Sequence, residues 1–160
     1  MAKAGNYFGA TISVLDRLID YEPGISHEPS SSRSQNLKQL KEAVRRDLEW
    51  LLNTRESAGG NADLPELNRS LATYGLPDFT NKGTNDVDEQ KKMRLAIQDA
   101  IRIFEPRLQD VMVTLQLSQS SDRLLHFRID ARLRIDPAPE PISFDTVLQI
   151  VNGEYEVKEE

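Results

Sequence analysis

The 160-residue chain contains no cysteine, which removes disulfides and thiolate metal ligands and suits a reducing compartment. Histidine is nearly as scarce. His27 and His126 lie far apart, and without an HExxH-type spacing they define no metal site. No apolar run approaches the length of a membrane span, and MAKAGNYFGATISVLDRL lacks the apolar core and cleavage site of a secretory signal. A cytoplasmic protein without direct membrane insertion is therefore expected. The patterns GxxxxGK[ST], GxGxxG and GxSxG are absent, and Ser30, Ser31 and Ser32 read as linker and helix cap. No basic stripe is interleaved with aromatics, which argues against nucleic acid as a partner. Nothing in the sequence calls for a cofactor.

What is present is an ordinary soluble composition with an uneven charge. The formal net charge is −6, and the stretch from Pro137 onward accounts for most of it, with Glu140, Asp145, Glu154, Glu156, Glu159 and Glu160 against Lys158 alone. The length suits one domain, divided into an N-terminal helix and linker (1–33), a main domain (34–153) and a solvated acidic tail (154–160). In SVLDRLID, Val14, Leu15, Leu18 and Ile19 fall at helical spacing before Pro23 and Gly24. The Pro/Ser-rich stretch that follows would let this helix dock on another chain through Leu15 and Leu18, or fold back on its own core.

Two longer helices come next. Leu37, Leu40, Val44, Leu48 and Leu51 form one apolar stripe, opened by Ser32 and Gln35 at capping-box spacing. Trp50 lies off that stripe, as an interface anchor or as cover for a loop of its own chain. The second helix follows Asp86 and Glu89 and points Met93, Ile97, Ala100, Ile101 and Phe104 inward. After Pro106 the period drops to two. Val111 to Leu117 and Leu125 to Ile135 alternate apolar with polar residues, and a third strand carries Phe144, Thr146, Leu148 and Ile150 on one face, with a possible further turn at Asn152-Gly153. The expected fold is α+β, with helices on one face of a small antiparallel sheet of three main strands in the C-terminal half. One edge of so small a sheet stays open. The segment from Ile142 to Val151 reads either as a strand that pairs with a partner or as a plain edge guarded by its prolines and acids.

The one option for acid–base chemistry is Glu105, with Asp99 or Asp110 as a second carboxylate, as a peptidoglycan hydrolase would require. Arg107 argues against it, since a neighbouring cation favours the ionised carboxylate and a general acid must hold its proton. Glu105 also stands at a helix C-terminus, where the macrodipole disfavours it. Pro106 pushes Glu105 out of the α region, so the helix should end near Phe104, and residues 105 and 107 of an extended segment point to one side. Glu105 and Arg107 then form either an internal ion pair or a fork that grips a partner.

Together, RRDLEWLLNTR, LNRSLATYGLPDF and IFEPRL, preceded by SVLDRLID, resemble the TssE family, the small baseplate subunits of bacterial type VI secretion systems. That family is similar to the phage-tail wedge protein historically labelled lysozyme-like. The resemblance runs from about Val14 to the last strand. It implies a structural protein without hydrolase activity, whose assembly triplet is Glu105, Pro106 and Arg107. It further implies a baseplate wedge with TssF and TssG, near TssK, at the inner face of the cytoplasmic membrane. Its sheet edge would start the TssB–TssC sheath by strand exchange.

Overall fold

A computed structural model describes residues 33–57, 64, 66–79, 86–116, 124–149 and 154–159, with the side chains of 33–36, 124 and 149 excepted. The expected first helix with Leu15 and Leu18, the Ser32 cap, Ile150 and the Asn152-Gly153 turn lie outside these residues.

Helix α1 (Arg33–Asn53) buries Leu40, Val44, Leu48 and Leu51 along the expected stripe and adds Ala43 and Leu52. Helix α2 (Val87–Phe104) starts at Asp86, whose carboxylate accepts a hydrogen bond from the Asp88 amide, and buries Met93, Ile97, Ala100 and Ile101. Between the helices, two single 3-10 turns (Leu67–Arg69 and Leu71–Thr73) lead to Gly75. Gly75 has φ +116°, and a Cβ there would come within 2.4 Å of the Thr54 carbonyl oxygen. Only glycine permits that approach. It lets the Leu76 amide donate to Thr54 and the Glu56 amide donate to Leu76, which staples the loop to the end of α1.

Among the described residues there are four strands, β1 (Leu108–Gln116), β2 (Leu124–Leu133), β3 (Glu140–Gln149) and β4 (Glu154–Glu159), antiparallel throughout in the order β1-β2-β3-β4. The α+β class with helices on the sheet is thus observed, with one strand more than the three expected. In β1 a bulge falls between Gln109 and Met112, where Asp110 takes φ +55°, a left-handed conformation that aspartate tolerates better than most residues. Phe127, Ile129, Leu133, Phe144, Val113 and Val157 meet the helices in one core, each at most 2% exposed.

The fourth strand corrects two expectations. Residues 154–159 are not a solvated tail: Tyr155 and Val157 alternate inward, while Glu154, Glu156 and Lys158 face solvent. Period-two alternation was present in EYEVKE, but net charge obscured it. In consequence β3 is not an edge strand. It pairs with β2 on one side and β4 on the other, and Phe144, Thr146 and Leu148 are buried in the core.

Both true edges are covered by helix side chains. On β4, the Asn53 carboxamide donates to the Tyr155 carbonyl at 2.9 Å and accepts from the Tyr155 amide at 2.8 Å, and Arg45 donates to the Val157 carbonyl. On β1, Arg94 donates to the Val113 carbonyl, Arg102 donates to the Val111 carbonyl, and the Gln98 amide group lies against Val113. These contacts engage backbone groups that would otherwise attract other chains.

Burial raises the Tyr155 phenol above its usual 10.0. A raised group stabilises the fold fully below its unfolded pKa and loses that contribution as pH climbs through its folded value. Unfolding free energy measured between pH 9 and 11.5 should therefore fall above pH 10. Tyr155→Phe should flatten that fall by up to about 1.4 kcal/mol per pH unit. Identical slopes in the two proteins would show that Tyr155 ionises freely in the fold.

Candidate functional site

The corner between α2 and β1 is built by Glu105, Pro106 and Arg107. Helix α2 stops at Phe104, as the following proline dictates, and Glu105 leaves the helix at φ −119°, ψ 75° while its amide still donates to the Ile101 carbonyl. The Leu108 amide donates back to the Glu105 carbonyl, closing a tight turn. From there the Arg134 amide donates to the Arg107 carbonyl at 2.8 Å and binds the corner to the end of β2.

Glu105 is 4% exposed. Arg107 donates from Nε to Glu105 Oε1 at 2.6 Å and from Nη2 to Oε2, a bidentate fork of the strong, charge-assisted kind. The same Nη2 donates to Asp47 Oδ2 at 2.6 Å, across 60 residues of sequence. Asp47 also accepts from Arg46 through its other oxygen at 3.1 Å, and the Arg46 guanidinium lies 5.1 Å from the centre of the Trp50 ring. A continuous chain of contacts thus runs from Glu105 through Arg107, Asp47 and Arg46 to Trp50.

Electrostatics follow from this packing. Burial opposes the charged Arg107 guanidinium, but its hydrogen bonds to Glu105 and Asp47 and the charges of both outweigh that, and its pKa is raised. The nearby Tyr74 phenol is raised first by burial and then by the charges of Asp47 and Glu105. Tyr74 also meets Phe104 edge-on, with ring centres 5.1 Å apart. Two carboxylates around one guanidinium leave the cluster at −1, partly offset by Arg46.

Between a gripping fork and an internal ion pair, the coordinates show the internal pair, extended to a third member. Asp47 was not singled out by sequence reasoning. Its only sequence signal is an acid beside the apolar stripe, in a helix with more bases than acids. Arg107 engages both oxygens of Glu105, the residue the acid–base alternative named. Among the described residues, no group of three or more histidines and acids could hold a metal ion.

The corner still presents a surface. Pro106 is exposed, and beside it a groove of about 470 Å³ is lined by Pro106, Arg107, Gln109, Arg134, Ile135 and the proline loop after it. Trp50 is 52% exposed at the far end of the contact chain. The structure brings Glu105, Pro106, Arg107 and Trp50 into one linked region. Phe144, Thr146 and Leu148 lie apart from it, inside the core.

Comparison with known proteins gives one finding. The family model described as baseplate wedge protein gp25 matches residues 38–138, which span α1 through the loop after β2. No curated protein and no solved structure matches.

Removing the guanidinium strands two carboxylates, one of them buried. Arg107→Ala should cost about 3–5 kcal/mol of stability, and the Glu105→Ala/Arg107→Ala pair should cost less than the sum of its single changes by more than about 1 kcal/mol. A double-mutant cycle by chemical denaturation measures this. Additivity within experimental error would mean that the pair is not a stabilising unit.

Proposed function

The chain belongs to the family of the baseplate wedge protein gp25, a structural baseplate role, and from that membership we propose that it is the TssE-type wedge subunit of a type VI secretion baseplate. In this reading it works in the cytoplasm, at the inner face of the cytoplasmic membrane. It binds the wedge subunits TssF and TssG close to TssK and starts the TssB–TssC sheath by strand addition. It is a scaffold and not a hydrolase.

The observation that carries this reading is the locked corner at Glu105, Pro106 and Arg107. A scaffold must present its docking surface in one geometry. Here a buried bidentate ion pair, a second carboxylate from α1 and a backbone bond to β2 hold one exposed proline and one groove in place. Such preorganisation lowers the ordering cost of association. Glu105 and Arg107 then serve assembly by holding the surface, and the exposed residues around them make the contacts.

The edge used for sheath initiation must also move. Because β3 is interior, strand addition falls to an outer edge of the sheet. Of the two, β4 suits it better, since β1 carries the bulge and is covered by the buried Gln98.

Arg134 separates docking from stability, because its side chain is exposed and borders the groove. Arg134→Glu should leave stability within about 0.5 kcal/mol and reduce capture of TssF and TssG at least tenfold in co-purification. Unchanged capture would remove the groove from the wedge interface.

A further inference from the structure

The polar file Lys41, Glu49, Arg45 and Asn53 runs down α1 at four-residue intervals, just beside the apolar stripe. Four helical residues advance about 6 Å and two strand residues about 6.6 Å, so Lys41 and Arg45 fall in step with Glu159 and Val157, and Asn53, two turns further on, reaches back to Tyr155. Lys41 pairs with Glu159 at 3.5 Å, Arg45 donates to the Val157 carbonyl at 3.4 Å, and Asn53 bonds both backbone groups of Tyr155. Glu49 organises the file: its carboxylate accepts from Arg45 at 3.2 Å and its carbonyl accepts from Asn53 at 2.8 Å.

Tyr155 and Val157 are alternate residues of an edge strand, whose N–H and C=O groups point away from the sheet. A carboxamide carries two donor hydrogens and an acceptor oxygen; one hydrogen goes to the Glu49 carbonyl, and the other faces Tyr155 beside the oxygen. Asn53 therefore stands in for the outward N–H and C=O of one residue in a fifth strand. We propose that this file is a displaceable latch on the β4 edge, and that it gives way to an extended segment of a partner protein with basic side chains at alternate positions.

The two edges differ in a way that selects β4. On β1 the covering Gln98 is buried at 9% exposure and the strand is bulged. On β4 Asn53 is exposed, and the Arg45 side chain is 36% exposed, so both can swing into water without uncovering core. Charge selects the occupant. The solvent face of β4 carries Glu154 and Glu156 with Lys158, which pairs with Glu156 at 3.1 Å and leaves the face acidic by one charge, and Glu159 follows. Opposite charges directly across neighbouring strands are favourable and like charges are not, so a strand with lysines or arginines facing Glu154 and Glu156 fits this edge. In the free subunit the latch keeps β4 from pairing with other strands indiscriminately.

The inference rests on the proposed use of the β4 edge for strand addition, and its test separates the two. The probes are two synthetic eight-residue peptides, one alternating lysine with valine and the other alternating glutamate with valine. Each is titrated into the isotope-labelled full chain while the amides of Tyr155, Val157 and Glu159 are followed. Asn53→Ala removes, besides its bond to the Glu49 carbonyl, the two hydrogen bonds to Tyr155; at about 1 kcal/mol net each and with no change of charge, their loss should let the basic peptide bind the variant about tenfold to thirtyfold tighter than the unaltered chain. The acidic peptide should bind either protein more weakly than the basic one. Val157→Pro removes an outward N–H, a change that edge strands accept, and should abolish binding. Glu159→Pro provides the same block at an exposed side chain should the first variant fold poorly.

If Asn53→Ala binds no tighter while the proline variants still abolish binding, the latch is wrong and strand addition at β4 stands. If the basic peptide binds the proline variants as well as the unaltered chain, strand addition at β4 fails and the latch fails with it. Equal affinity for the two peptides would overturn the basic character assigned to the partner.

Discussion

The fold depends on how the Glu105 carboxylate, buried at the end of α2, is held by a guanidinium. A lone buried carboxylate would cost several kcal/mol, and this one also stands at the negative end of a helix. The bidentate guanidinium of Arg107 offsets part of both penalties, and the reach of Arg107 to Asp47 turns a local repair into a tertiary contact. Helix α1, helix α2 and the head of β1 therefore share one electrostatic joint. The bond from the Arg134 amide to the Arg107 carbonyl adds the end of β2 to it. Breaking the joint loosens every layer of the structure at one point.

That joint separates two roles that the sequence motif merges. Glu105 and Arg107 are engaged with each other and with Asp47, whereas Pro106, Arg134 and Trp50 meet solvent. Positioning and contact fall to different residues of one corner. The same division appears at the β4 edge, where α1 supplies both an apolar stripe for the core and a polar file for the strand. One helix thus sets the geometry of the corner and the accessibility of the edge.

Much of this was legible before any coordinates. The stripe from Leu37 to Leu51 follows from a 3.6-residue period, and the alternation from Leu125 to Ile135 follows from a period of two. The end of α2 at Phe104 follows from Pro106 alone. The misreadings have physical causes as well. EYEVKE looked like a solvated tail because acids dominate its charge, yet only Tyr155 and Val157 must face inward for it to pair. Once β4 is in place, β3 becomes interior and its apolar face belongs to the core, not to a partner.

The sequence alone determined periodicity, helix ends and the adjacency of Glu105 and Arg107, because each of these depends on residues close together in the chain. Tertiary structure decided whether that pair would look inward or outward. The answer came from Asp47, 60 residues away from Arg107, whose position no local rule specifies. It also decided which strand edge remains for a partner and what covers it. Asn53 meets Tyr155 across 102 residues, and only the packing of α1 against β4 brings a carboxamide to where the backbone groups of a neighbouring strand residue would lie.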